Sequence, residues 1–161
     1  MPIRHLRVQE APWTCTVAGV RTLLAWAGVE RDEAEILAEI GDPPLSLQRA
    51  RTFGDVYRLD FDHPRSIEIL IAYVEAGWCL AEVVCQPATH NAGKLRSPHP
   101  PMGRGHHILV LIGHAGGMLT YMDPYFLPDG QPLKVSVRDF VADWWTGDLL
   151  VPHVTPRQLK Q

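Results

Sequence analysis

Apolar positions recur at helical spacing through the first half of the chain and gather into short unbroken runs in the second. Val17, Val20, Leu23, Leu24 and Ala27 share one face of a 3.6-residue period, so residues 15–27 are predicted to form a helix that Gly28 stops. Asp32 and Glu35 have the spacing of a capping box and open a second helix that runs to Gly41. Residues 46–54, SLQRARTFG, read as a short third helix ending on glycine. Residues 55–61, DVYRLDF, alternate as an edge strand does. Residues 66–77, SIEILIAYVEAG, return to the helical period.

From residue 79 the period changes. CLAEVVC (79–85) and HHILVLIG (106–113) are compact apolar runs suited to central strands, and the second is apolar at consecutive positions, which calls for cover on both faces. MLTYMD (118–123) follows a glycine-rich turn and is predicted to pair back as a hairpin. LKVSV (133–137) is a further strand. Ser136 and Asp139 cap a helix over VRDFVADWW, which Gly147 ends. LLVPHV (149–154) is expected to close the sheet at an edge, where Pro152 is tolerated.

Helices first and antiparallel strands second make an α+β plan, an N-terminal helical layer packed on a C-terminal antiparallel β-sheet. No repeat or linker divides the chain, and 161 residues suit a single domain, 1–161. Between the two central runs lies QPATHNAGKLRSPHPPMGRG, residues 86–105. A loop of about 20 residues exceeds the usual connection and reads either as a lid or binding loop or as a surface insertion.

Composition narrows the class without naming a chemistry. With 46% hydrophobic and 20% charged residues the chain reads as a soluble globular protein. A net charge of −3 and the lack of a basic run argue against nucleic acid or an anionic membrane as partner. The opening MPIRHLRVQEAPW has no apolar stretch of the signal-peptide kind, and no membrane span is expected. Cys15, Cys79 and Cys85 are an odd number without an export signal, so reduced thiols and a cytoplasmic location are expected. His99, His106, His107 and His114 with Cys85 lack a compact ligand spacing, so no metal is expected. GHAGGM opens no helix and is read as a hairpin turn, not a phosphate loop. Asp32, Glu33, Glu35 and Glu39 are read as a solvated helix face, His99 and His114 as solvated loop residues, and Trp13 as packing beside a cleft.

Cys15 stands where the first helix begins. A thiol becomes a nucleophile by losing its proton, and the unpaired N–H groups at a helix N-terminus favour the thiolate. A buried, inert thiol is the plainer reading and the commoner fate of cysteine. A cysteine nucleophile also needs a base within hydrogen-bond reach and an acceptor that orients the base. His107 opens one strand run and Asp123 closes the next. With a hairpin loop from Gly113 to Gly117, antiparallel pairing sets His107 directly opposite Asp123 on one face. A loop one residue shorter or longer sets them on opposite faces. Gln9 lies just ahead of the helix, where its amide is either an oxyanion donor beside the Cys15 N–H or a solvated loop group.

Gln9, five residues, and then Cys15 at a helix start resembles the papain-like cysteine peptidases. His107 followed by ILVLIG, and MDP at 122–124, resembles more narrowly the bacterial branch of that clan: the bacteriocin-processing, double-glycine leader peptidase domains and their stand-alone relatives. GWCLAEVV (77–84) and DFVADWWTGDLLV (139–151) are similar to that family's central strand and closing segment, so the resemblance spans most of the chain. It implies a papain-like α+β fold with Cys15 as nucleophile, His107 as base and acid, Asp123 as orienting group and Gln9 as oxyanion donor. It implies a cysteine peptidase that hydrolyses a peptide bond through a thioester on Cys15, with a peptide or protein substrate and no cofactor; no transporter is expected in the same polypeptide. His106 competes with His107, but it points to the other face and stands one residue too far from Gly113 for the family pattern. The family commonly has glycine after the cysteine and often aspartate before it; here Thr14 and Thr16 flank Cys15, and a β-branched Thr16 is expected to crowd the cleft. The same thiol chemistry serves a deamidase, a transglutaminase-like enzyme or a peptide ligase, because only the acceptor of the thioester differs. A non-catalytic peptide-binding module of the same fold is the further alternative, and Thr16 is the residue that favours it. The sequence sets no oligomeric state.

Overall fold

The helical period at residues 15–27 becomes helix α1, Cys15–Trp26, in a computed structural model. It describes residues 2–41, 47, 59–62, 66–84, 89–101, 105–144 and 149–152, with 59–62 and 149–152 given by their backbone alone. Val17, Val20, Leu23, Leu24 and Ala27 are buried as the periodicity requires, but so are Thr16, Ala18, Thr22 and Ala25. The helix is therefore enclosed nearly all round rather than along one stripe. Its inner polar group is satisfied, since the Thr22 hydroxyl donates to the Ala18 carbonyl at 2.9 Å and accepts the Arg7 N–H at 3.0 Å. Fully burying Leu23 and Leu24 contributes about 1.5–3 kcal/mol each.

Helix α2, Glu33–Ile40, starts at the expected capping box. Asp32 accepts the Glu35 N–H at 2.8 Å and the Glu35 carboxylate accepts the Asp32 N–H at 3.1 Å. Of the helix expected at 46–54 only Leu47 is described, helical and buried; the remainder lies outside the described residues. Helix α3, Ile67–Ala76, is capped by the Ser66 side chain.

Strands β1 (Leu59–Asp62), β2 (Cys79–Val84), β3 (His106–Ala115), β4 (Met118–Met122), β5 (Leu133–Ser136) and β6 (Leu149–Pro152) form one sheet in the order β1-β6-β2-β3-β4-β5. All neighbours are antiparallel. Strand β1 takes the edge, as expected of the 55–61 run, of which 55–58 lie outside the described residues. Strand β6 does not: it lies between β1 and β2. Pro152 is accommodated because β6 pairs with β2 only at Leu149 and Leu150, so the proline falls beyond that ladder. Helix α4, Val137–Asp143, begins at Ser136, which accepts the Asp139 N–H at 3.0 Å. It ends at Asp143, short of Gly147, which lies outside the described residues.

The sheet is covered on both faces, which the two-sided apolar run of β3 demands. On one side Leu80, Ile108, Val110 and Met122 pack with α1 and α2. On the other, Cys79, Ala81, Leu109, Leu111 and Tyr121 pack with α3 and α4. Gly19 lets α1 come close to the first side: a Cβ there would stand 3.0 Å from Leu80 Cδ2 and 3.1 Å from Ile108 Cγ2. This contact is one turn from Cys15 and beside His107, so it draws the start of α1 toward the start of β3.

The β3–β4 register differs from the expected one. The strands run past Gly113 to a two-residue turn in which Gly116 (φ 58°) and Gly117 (φ 74°) are both left-handed, the conformation that matches the twist of a tight hairpin. That turn pairs Ala115 with Met118 and Gly113 with Thr120. Continued without interruption, it would set Asp123 level with Val110 and on the opposite face from His107. A β-bulge between Leu111 and Gly113 moves the pairing by one residue, giving Leu111 with Tyr121 and Val110 with Met122. Asp123 then falls level with Leu109 rather than His107, but on the side of the sheet that His107 occupies.

Candidate active site

His107 is 2% exposed and Asp123 is fully buried, and His107 Nε2 stands 2.6 Å from Asp123 Oδ1. A carboxylate only accepts, so Nε2 carries the proton and Nδ1 is the ring nitrogen left to face another group. Taking such a pair out of water is repaid only when further hydrogen bonds satisfy the charges. Here Asp123 Oδ1 also accepts the Tyr125 N–H at 3.0 Å, and Oδ2 accepts the Asn91 amide at 2.9 Å. The Tyr121 hydroxyl donates to Asn91 Oδ1 at 3.1 Å, which fixes the orientation of that amide. Gln131 clamps the backbone from behind, accepting the Asp123 N–H at 2.6 Å and donating to the Asp123 carbonyl at 3.1 Å.

Cys15 is the first residue of α1, is half-buried, and lies close enough to His107 to act on its imidazole. Burial pushes the His107 imidazole down, but the Asp123 charge, the Asp123 hydrogen bond and the nearby Cys15 outweigh it, holding the ring well above its ordinary value of 6.5. Thr14, the N-cap residue, makes no side-chain cap to the helix, so that side chain does not occupy the first-turn N–H groups beside the sulfur. Thr16 is 2% exposed and presents almost no surface to a cleft, contrary to the crowding expected from its β-branch.

Gln9 is 2% exposed, not the solvated loop group of the alternative reading. Its N–H donates to the Pro124 carbonyl at 2.8 Å, and its own carbonyl accepts from His99 Nε2 at 2.6 Å. The Asp123-Pro124 dipeptide therefore serves both halves of the site, its carboxylate holding His107 and its next carbonyl holding Gln9. The Gln9 side-chain amide donates to the Ala11 carbonyl at 2.8 Å, which leaves its second N–H unspent, while Oε1 is buried without a partner.

The remaining histidines separate from this group. His106 Nδ1 lies 3.7 Å from Glu82, and its side chain is 51% exposed. His114 is a β3 residue beside Glu75 at 3.1 Å, and His99 stacks edge-to-face on Tyr125, so neither is a solvated loop residue. Trp13 is 55% exposed. Cys79 is a buried core thiol pushed up to about 12 by desolvation; Cys85 lies outside the described residues. Among the described residues no group of three or more His, Cys, Asp or Glu could hold a metal ion, and no helix is long and apolar enough to cross a membrane.

The described part of the long loop, residues 89–101, is pinned rather than free to act as a lid. Asn91 reaches Asp123, the Ser97 hydroxyl donates to the Tyr125 carbonyl at 3.0 Å, and the Leu127 N–H donates to the Arg96 carbonyl at 2.8 Å. The Tyr125 hydroxyl bonds the Pro100 carbonyl. Thr89 donates through its N–H and its hydroxyl to Asp143 Oδ2, at 3.1 and 2.8 Å. The sequence reading missed Asn91 and Gln131 and took His99 for a solvated loop residue. The length of the loop was the only signal for Asn91 and His99; Gln131, after an Asp-Gly turn, had none.

No family model and no curated protein matches the chain. Solved structures do. A Bacillus anthracis protein ascribed to the C39-like peptidases superposes with a TM-score of 0.65 at 17% identity, over 95% of this chain and 96% of that one. The peptidase domain of Streptococcus ComA, a bi-functional ABC transporter of a quorum-sensing pathway, gives a TM-score of 0.65 at 15% identity, over 92% and 98%. Chain direction, helical cover and antiparallel sheet thus agree with what the sequence implied: the fold of this protein is the papain-like α+β fold of the C39-like peptidase domains.

Proposed function

We propose that this chain is a cysteine peptidase, one domain acting on a peptide or protein in the cytoplasm. The observation that carries the reading is the buried His107–Asp123 pair at 2.6 Å with Cys15, at the start of α1, close enough to act on the same imidazole. Among the described residues Cys15 and Cys79 are free thiols, which fits a reducing compartment.

The Cys15 thiolate attacks the peptide carbonyl, forming a C–S bond and moving the π electrons onto oxygen. The unspent Gln9 amide N–H and the Cys15 backbone N–H receive that oxyanion; a well-placed donor is worth about 3 kcal/mol of barrier. The His107 imidazolium gives its Nδ1 proton to the amine as the C–N bond breaks, leaving a thioester. His107, now neutral, takes a proton from water, and hydroxide displaces the thiolate to release the carboxylic acid. Asp123 keeps the ring oriented and charged until that proton is passed on.

Iodoacetamide tests the activation of the thiol directly. Cys15 alkylation near neutral pH is expected to outpace that of a free thiol and to slow at least about tenfold in His107→Ala, since general-base activation contributes roughly 10²-fold or more. A rate equal to a free thiol's in the wild-type chain overturns the reading. Product masses after incubation with a peptide library then separate hydrolysis from transfer to a second amine.

A further inference from the structure

Glu33 is a buried titratable group that the proposed mechanism leaves unused. It is 3% exposed, although its neighbours Asp32 and Glu35 are exposed and the sequence pattern placed all three on a solvated face. It is not needed to start α2, because Asp32 and Glu35 already form the capping box. Burial pushes its carboxyl above the usual carboxylate range, and hydrogen bonds to Glu10 and Thr14 offset part of that penalty. Glu33 Oε1 accepts the Glu10 N–H at 2.8 Å and shares the single Thr14 hydroxyl proton, at 3.1 Å, with the Ala11 carbonyl at 3.0 Å. Thr14 Oγ1 in turn accepts the Ala11 N–H at 3.2 Å. These bonds of Glu33 are spent on residues 10–14, the turn that joins Gln9 to Cys15.

The Glu10 N–H belongs to the same peptide plane as the Gln9 carbonyl. That carbonyl is held by His99 Nε2 at 2.6 Å. One peptide group is thus gripped at both ends, by α2 on its N–H side and by the 89–101 loop on its carbonyl side. Rotating it would break both bonds and strand a buried carboxylate. The orientation of that plane sets the direction in which the Gln9 side chain leaves the backbone.

We propose that Glu33 and His99 are positioning residues that lock the Gln9–Glu10 peptide plane and so fix the spacing of the Gln9 amide and the Cys15 N–H around an oxyanion. The role rests on the peptidase reading above. It acts on acyl transfer and not on the thiolate itself, because the hydrogen bonds of both residues go to the turn from Gln9 to Thr14 and not to the sulfur–imidazole pair.

Two probes on the full chain separate these effects. Iodoacetamide alkylates the thiolate by displacement at a methylene carbon, with no oxyanion. p-Nitrophenyl acetate acetylates Cys15 through a tetrahedral oxyanion: the C–S bond forms, the C–O bond breaks and p-nitrophenolate leaves. Glu33→Ala is expected to slow acetylation on the order of tenfold to a hundredfold, the loss typical of misplaced reacting groups, while alkylation stays within about twofold. Glu33→Gln, which keeps the accepting oxygen, restores most of the acetylation rate. Thr14→Val, which removes one of the two donors without altering α2, gives a smaller loss in the same reaction and serves if Glu33→Ala fails to fold. Fast alkylation with acetylation unchanged in Glu33→Ala and in Thr14→Val overturns the positioning role alone. Equal loss in both reactions overturns it too, since Glu33 would then act on the thiolate or on the fold. Wild-type alkylation at a free thiol's rate removes the peptidase reading, and the role with it.

Discussion

The end of the β3–β4 hairpin and the turn at residues 9–15 face each other across the candidate site and are held in different ways. At the hairpin the partners are side chains: Asp123 bonds His107 and Asn91, and Tyr121 bonds Asn91 in turn. Each member is buried, and each is satisfied by the next. At the turn the partners are backbone groups, each gripped by a different element: the Gln9 N–H by Pro124, its carbonyl by His99 and the Glu10 N–H by Glu33. A side-chain chain in a dry interior fails as a unit when one member is lost, because the next member is left unpaired. Separate backbone ties degrade one at a time.

Asp123→Ala puts that contrast to its strongest test. It removes the Asp123 charge and hydrogen bond that hold His107 up, leaving only Cys15 to oppose burial, so the ring's value falls from its raised position. Cys15 alkylation is expected to fall to the rate of a free thiol. Breaking a buried pair from one side also costs about 3–5 kcal/mol of stability, to be read by urea unfolding. A variant that kept fast alkylation would show that the carboxylate does not govern the imidazole.

Asn91→Ala comes next. It leaves Asp123 Oδ2 and the Tyr121 hydroxyl, both buried, without the partner each now has, at a cost of about 1–3 kcal/mol for an unsatisfied group. The His107 titration followed by NMR should change with it, since the carboxylate loses a fixed orientation. An unfolding free energy within a few tenths of a kcal/mol of wild type would mean that water replaces the amide at no cost, and the hairpin would then resemble the turn.

Stability against pH separates the two regions by a smaller effect. The folded-state value of His107 lies above 6.5. The folded protein therefore binds that proton more tightly than the unfolded chain does. The stability it lends is fully present below the unfolded value and is lost as pH rises through the raised folded one. Above pH 6.5 the unfolding free energy should decline by up to about 1.4 kcal/mol per pH unit until the ring is neutral. His107→Gln should remove that slope, whereas Glu33→Gln, on the turn side, should leave it in place.

The elements were legible because their signals are local. Period, capping boxes and glycine stops placed α1, α2, α3 and the strands, and chain order alone gave the α+β plan. Cys15, His107, Asp123 and Gln9 were chosen from the sequence, and the fold brings all of them to one end of the sheet. The register was not legible in the same way. A bulge at Ile112 restores the parity that the tight Gly116-Gly117 turn would have broken, and nothing in an apolar run of β-formers marks where a ladder will slip. The supporting residues were hidden for a different reason: their partners are remote. Asn91 is 32 positions from Asp123 and His99 is 90 from Gln9. Glu33 looked solvated because the acidic residues around it are; only its packing against the 10–14 turn sets it apart. Polar contacts across such distances have no period, so no window of sequence contains them.

His99→Ala gives the smallest single effect and decides whether the turn's ties are independent. The variant loses one hydrogen bond, at 2.6 Å, and one edge-to-face contact with Tyr125, while Pro124 and Glu33 still hold Gln9 and Glu10. A loss of about 1 kcal/mol in stability is expected, and acetylation by p-nitrophenyl acetate should fall only about fivefold, a loss of the same order as one neutral hydrogen bond. Combined with Glu33→Ala the loss should exceed the sum of the single effects, because each tie restrains the same peptide plane and either one alone still opposes its rotation. A coupling energy near zero would mean that the two ties act independently and do not restrain one common peptide plane. The turn would then be a set of separate ties, the opposite of the hairpin's linked side chains.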